Sequence, residues 1–208
     1  MIAQGGAPVT DAALQAVLIK ELRPTQITVG LREVAQKREQ WRKHLRKDRN
    51  AFLSRHPAPT VVGPKGRHYL IDKHHLARAI AEEGVERVLV NVVADLSFLS
   101  KASFWTYLDS RSWCHPYDEL GVRRDVAVIP RTLKDLRDDP FRSLASAVRR
   151  VGGFTKNTTP FSEFLWADFL RTRMEQTFVE GDFAGAVVEA LSLARSKQSD
   201  CLPGWGGA

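Results

Sequence analysis

Tyr69-Leu70-Ile71-Asp72-Lys73-His74-His75-Leu76-Ala77-Arg78-Ala79 decides how the chain is read. An apolar run ends at a carboxylate, and within two residues the period changes. Leu76, Ala79 and Ile80 then share one helical face. The spacing predicts a strand over His68 to Ile71 and a helix over His74 to Glu83, stopped by Gly84. His74 and His75 fall in the first turn of that helix. First-turn amides have no intrahelical acceptor, and the helix dipole is positive there. Such a turn suits a phosphate or a carboxylate. Asp72 is placed to hold Mg²⁺ beside a phosphate, or to take a proton from an incoming hydroxyl. Lys73 adds positive charge. Adjacent helical residues point about 100° apart, so at most one histidine is expected to act as a ligand. The plain alternative has Asp72 capping the helix and a histidine packed in the core. Zinc held by Asp72, one of these histidines and His115 is a further arrangement that nothing in the spacing favours.

Working outward, Thr60-Val61-Val62 reads as a strand and Gly63-Pro64-Lys65-Gly66 as a turn, so a hairpin precedes the junction. Val85 to Val93 gives the strongest strand signal. Upstream, Thr10 is placed to cap a helix over Asp11 to Lys20. The stretch from Pro24 to Gly30 reads as a loop or short extended piece. Leu31, Val34, Trp41, Leu45 and Phe52 predict one long amphipathic helix from Leu31 to about Arg55, ended by His56-Pro57-Ala58-Pro59. Beyond the third strand the pattern is helical: Phe98 to Leu108, Phe141 to Val151, Phe161 to Arg173 and Asp182 to Arg195. Val126 to Ile129 reads as a short extended link. Trp41, Trp105, Trp113 and Trp166 are expected in the core. The tail from Cys201, with Pro203 and three glycines, is expected to be flexible.

The 208 residues fit one domain with an extension. Hydrophobic content of 43% and charged content of 26% exclude a wholly disordered or collagen-like chain. No run of 18 apolar residues occurs, so neither a membrane span nor a membrane partner is expected. With two cysteines and no readable leader, the expected compartment is the reducing cytoplasm. The net charge of +7 is concentrated. Between Arg32 and Arg55 nine basic residues face three acidic ones, leaving the remainder near neutral. Arg38, Arg42, Lys43, Arg46 and Lys47 are therefore candidate contacts to DNA phosphates, with a solvated helix face as the equal alternative. Lys156 ends a glycine-containing loop that could close over an anion. Glu163 and Asp168 project about 140° apart and make no carboxylate pair. Arg149-Arg150 reads as surface salt bridging. No Walker A loop, GxGxxG, HExxH or GxSxG is present.

A strand, then Ile-Asp-x-His-His, then a helix, preceded by Arg23-Pro24-Thr25-Gln26 and a hairpin, resembles the ParB/sulfiredoxin superfamily, and most closely its ParB-like nuclease branch. The resemblance covers Leu22 to Ala94 and extends to Pro116-Tyr117-Asp118, to Asp138 through Leu144, and to Phe161 through Asp168. It implies an α+β fold: a small mixed sheet with helices over 22–95, preceded by a segment over 1–21. A mostly helical extension over 96–200 and the tail over 201–208 follow. It further implies an enzyme that uses Mg²⁺ and ATP, ADP or CTP to transfer a phosphoryl group to a small molecule or to water. Asp72, His74 and His75 would be catalytic, matching a run found in the distantly similar free-serine kinases. Arg23, Gln26, Lys73, His74, His75 and Lys156 would meet the nucleotide. Three positions depart from the kinase pattern: Lys73 stands for a glycine, Leu76 for an arginine and Gln26 for an acid. The sulfiredoxin cysteine and the paired arginines of ParB are absent. A DNA-binding nuclease is the first alternative. An enzyme of the same fold acting on small molecules without a nucleotide is the second.

Overall fold

β-branched and aromatic residues between Ala58 and Leu70 pair as predicted. In the computed structural model, which describes residues 14–207, they form two strands of a hairpin. In chain order the elements are β1 (Gln15–Leu18), β2 (Arg23–Pro24), β3 (Thr28–Val29), α1 (Leu31–Lys43), α2 (Arg46–Arg55), β4 (Ala58–Gly63), β5 (Arg67–Leu70), α3 (His74–Glu82), β6 (Arg87–Asp95) and α4 (Lys101–Ser110). They continue with β7 (Arg137–Asp138), α5 (Pro140–Arg150), α6 (Ser162–Arg171), α7 (Gln176–Gly181) and α8 (Phe183–Arg195). Five strands make a mixed sheet in the order β1-β6-β4-β5-β2. β4 pairs antiparallel with β5 and parallel with β6. β1 runs antiparallel to β6, and β2 parallel to β5. β3 and β7 form a separate parallel pair that ties the N-terminal half to the helical extension. The α+β class is as expected.

Three apolar clusters hold these layers together. Leu22, Val34, Trp41, Leu70, Ala79, Ile80 and Val90 pack α1 and α3 on the sheet. Val61, Leu96, Phe104 and Leu108 seat α4 beside β4. Phe141, Leu144, Trp166, Leu170, Ala186 and Ala190 form the core of the helical extension.

Several elements differ from their sequence reading. Thr10 and the start of the helix expected over Asp11 to Lys20 lie outside the described residues. From Gln15 that segment is a strand, because pairing with β6 buries Val17 and outweighs local helix propensity. The long basic helix breaks at His44-Leu45. In a straight helix Trp41 and Phe52 would lie about 16 Å apart. The break folds α2 back and brings their rings to 5.8 Å, edge to face. Val126–Val128 is a 3₁₀ turn rather than an extended link. α4 starts later than expected, capped by Ser100, and leaves Phe98 exposed. α7 has no counterpart in the reading. Trp41 and Trp166 are buried, whereas Trp105 and Trp113 are half-buried. Leu202 and Trp205, in the tail expected to be flexible, pack against the helical core.

One close approach fixes α1 against α5. Gly30 precedes α1, and a Cβ there would stand 2.5 Å from Ser143 Oγ and 2.7 Å from Ser143 N. The second contact is backbone, which cannot swing aside. Gly30→Ala is therefore expected to cost about 1–3 kcal/mol through overpacking. Urea denaturation checks it, and an unchanged midpoint would show that the two helices separate freely.

Candidate functional site

The junction that decided the fold also opens the site. Asp72 is exposed, and its Oδ1 accepts the Lys73 backbone N–H at 2.6 Å. Lys73 is left-handed, with φ 62°, and starts α3 with no side-chain cap. The early amides of α3 are thus left without a side-chain acceptor. A left-handed residue followed by a helical one also turns successive amides to one side, the geometry of an anion nest.

His74 and His75 follow Lys73 in the first turn of α3. Both are buried, and both are committed to the segment between β2 and α1. His74 Nε2 accepts the Thr25 N–H at 3.2 Å, and His75 Nε2 accepts the Gly30 N–H at 2.9 Å. Thr25 Oγ1 donates to Leu70 O at 2.8 Å and reinforces the same clamp. Burial pushes both imidazoles down to about 3, with the nearby Arg142 charge acting in the same direction. Both rings are therefore held toward the neutral form near neutral pH. The 100° divergence of adjacent side chains is what lets one ring hold Thr25 and the next hold Gly30.

A cleft of about 550 Å³ opens beside this turn. Gln26, Asp72, Lys73, His74, His75 and Lys156 all line it, so most of the residues expected to meet a nucleotide come together. Gln26 is buried and its Nε2 donates to Thr28 O at 2.6 Å. Lys73 Nζ donates to Pro57 O at 2.9 Å. Burial lowers the Lys73 pKa, and the charge of Lys156 lowers it further against the pull of Asp72. Arg23 is the exception. It donates to Arg131 O at 2.9 Å and does not line the cleft.

Sequence reasoning missed the opposite wall. Glu33 and Lys37 from α1, Arg142 and Arg149 from α5, and Ser162 and Glu163 from α6 line the same opening. Glu33 is buried, with Lys37 at 3.3 Å and His75 Nε2 at 3.5 Å. Burial pushes its carboxyl up, and His75, Lys37 and Arg142 together outweigh that push and hold it below its ordinary value. Glu163 pairs with Arg149 at 2.9 Å. The available signal was Arg142 itself. Pro140 is the first residue of α5, so Arg142 lies in the first turn, where a cation opposes the helix dipole.

The basic segment is neutralised in part. Arg38 pairs with Glu82 at 3.0 Å and with Glu83 at 2.7 Å, and Arg42 pairs with Glu83 at 2.8 Å. These two arginines hold α1 to α3 instead of facing outward as a charged stripe. Lys43 and Lys47 are exposed, and the Arg46 side chain lies outside what the structure describes. No group of three or more His, Cys, Asp or Glu among the described residues is arranged to hold a metal ion, so the three-residue zinc arrangement is not assembled there. No helix among them is long and apolar enough to cross a membrane.

No curated protein matches the chain. Among solved structures, protein Atu1540 from Agrobacterium tumefaciens is similar, at 47% identity and a TM-score of 0.88, over 94% of this chain and 99% of that one. The family model described as "Putative ParB-like nuclease" matches residues 15–172, a span that runs from β1 through the sheet and the α3 junction to the end of α6. With both walls of the cleft inside that match, the chain belongs to the ParB-like nuclease family.

Proposed function

We propose that the cleft binds a nucleotide or a related phosphate-bearing small molecule and transfers or hydrolyses its phosphoryl group. One observation carries this reading. An uncapped first turn of α3, Asp72 at the rim, Lys73 and Lys156 converge on an opening of about 550 Å³. That volume lies within the range of small-molecule clefts, roughly 300–1,000 Å³. Phosphoryl transfer asks little covalent chemistry of the protein and much positioning and charge. The α3 amides and the two lysines would hold phosphate oxygens. Asp72 would orient the attacking hydroxyl or water. His74 and His75 would keep Thr25 and Gly30 in place behind it.

Asp72 alone among the described residues offers Mg²⁺ a carboxylate at this turn. That fits the ion, which commonly takes one or two carboxylates together with substrate phosphates and water. Bound there, it would neutralise charge on the phosphates.

The test is thermal denaturation with ATP, ADP and CTP, each with and without Mg²⁺. A ligand at a hundredfold excess over Kd stabilises by about 2.7 kcal/mol. Asp72→Asn is expected to keep that shift and lose turnover by about a hundredfold or more. Normal turnover in the variant would remove Asp72 from the chemistry, and no shift with any nucleotide would remove the nucleotide. Stabilisation by phosphorylated compounds that lack a base would then favour small-molecule chemistry.

The family description supports a second reading, hydrolysis of a nucleic-acid phosphodiester in the same cleft. Lys43, Lys47 and Arg55 are exposed basic residues available to it on this segment. Binding to a short oligonucleotide should then fall steeply with salt. Salt-independent or undetectable binding argues against it.

A further inference from the structure

The wall opposite α3 is not explained by a single phosphate. Arg142 is only 5% exposed, and its Nε and Nη1 have no hydrogen-bond partner. Its Nη2 stands 3.9 Å from Glu163 Oε2, beyond hydrogen-bond distance, and Glu163 is engaged by Arg149. The Phe164 ring lies 3.3 Å from the guanidinium carbon and fixes the plane of the group. Burying a guanidinium with donors unmade is costly, and placing it in the first turn of a helix adds to the cost. A folding role alone would be better served by an apolar side chain of similar volume. Beside it, Phe161 is left-handed, with φ 58°, and starts the ten-residue α6 without a side-chain cap; Ser162 and Phe164 N–H are taken by Thr159 O and Phe161 O, which leaves the Glu163 N–H as the open amide of this turn. Phe161, Ser162, Glu163 and Phe164 all line the cleft. A buried guanidinium with donors unmade and a helix start with one open amide thus line one opening, across from Asp72 and Lys73.

We propose that Arg142 and the first turn of α6 form a second oxyanion subsite, separate from the α3 turn, which takes a carboxylate or phosphate group of the acceptor molecule. The proposal rests on reading the cleft as a transfer site and narrows its acceptor to an anionic small molecule, in place of water. Phe164 orients the guanidinium. Of the three carboxylates that act on Arg142, namely Glu163, Asp139 and Glu33, Glu163 acts most strongly, and it tunes the affinity because it competes with the incoming anion for Arg142 and Arg149.

Amide NMR separates the two subsites. The full chain is titrated with inorganic phosphate and, in parallel, with malonate. Shifts at Ser162 to Phe164 report the new subsite, and shifts at His74 to Leu76 report the α3 turn. Either anion moving the 162–164 amides supports the proposal, and the one that binds more tightly identifies the acceptor group. Arg142→Met is expected to weaken that response roughly tenfold or more while leaving the α3 amides responsive to phosphate. Glu163→Gln, at a half-buried position that keeps the fold, is expected to tighten it roughly fivefold. It decides the matter even if Arg142→Met does not fold. Silent 162–164 amides with both anions, an undiminished response in Arg142→Met, or no tightening in Glu163→Gln overturns the subsite. Silence confined to His74–Leu76 would instead count against the phosphate role of α3.

Discussion

Acidification from pH 7.5 to 5.0 is expected to remove about 6 kcal/mol of folding stability, with three histidines responsible. His74, His75 and His115 are each pushed by burial down to about 3, against an ordinary value of 6.5. His115 is enclosed by Tyr117, Phe161 and Phe164, with ring centroids at 4.3, 4.7 and 3.6 Å. Between pH 6.5 and about 3 the unfolded chain binds a proton at each site and the folded chain does not. Stability is therefore complete above pH 6.5 and falls as the pH drops, by about 1.4 kcal/mol per unit per histidine. At pH 5.0 that is about 2 kcal/mol each. Asp138, Asp139 and Asp168 act in the opposite direction, because burial raises their carboxyls and protonation returns some stability as the pH approaches those values. Since domains are stable by about 5–15 kcal/mol, loss of the fold is expected between roughly pH 5 and 4. Guanidinium denaturation at several pH values measures the slope. His75→Gln should flatten it by about a third. A wild-type slope no steeper than one histidine supplies would mean that at least two of these rings take up protons in the folded state.

The histidines also show how far the sequence could be read. The change of period at Asp72 was visible because strand and helix leave different spacings of apolar residues, and the hairpin and α3 followed from it. The role of His74 and His75 was not visible. It depends on where Thr25 and Gly30 lie, roughly 45 to 50 residues away, and no local pattern encodes that pairing. The basic helix was legible only in part for a related reason. Charge counted along the chain says nothing of Glu82 and Glu83, which arrive from α3 to neutralise Arg38 and Arg42. The same holds for the site. Its α3 half is contiguous in sequence and was found, whereas its α5–α6 half comes from residues more than 60 positions later. Arg142 was the exception in principle, since a cation in the first turn of a helix works against the dipole and asks for a reason. Leu76 and Gln26 marked where the chain departs from the free-serine kinase pattern. An arginine and a carboxylate nonetheless line the same cleft, at Arg142 and Glu33, supplied by other helices.

Trp166→Ala is expected to destabilise the protein by about 3–5 kcal/mol, the range for deleting a buried aromatic ring. Trp166 is wholly buried, stacks on Phe154 with centroids 4.2 Å apart, and meets Phe169 edge to face at 5.9 Å. Its Nε1–H donates to Pro203 O at 2.9 Å, which draws the C-terminal segment over the helical core. Trp205 follows on the same side, bridged to Phe154. Removing the ring leaves a cavity, unpairs the Pro203 carbonyl and frees that segment together. Trp166→Phe separates these contributions. It keeps an aromatic ring for Phe154 and loses the N–H donor, so it should cost about 1 kcal/mol for the hydrogen bond, plus a smaller cavity. The effect reaches the site because Trp166 lies on α6, one turn beyond Ser162 and Glu163, and seats that helix against α5. At temperatures where Trp166→Ala is still folded, phosphate or malonate should bind more weakly at Ser162 to Phe164, with the α3 amides unaffected. Equal stability of Trp166→Ala and Trp166→Phe would show that the hydrogen bond to Pro203, and not the ring, secures α6.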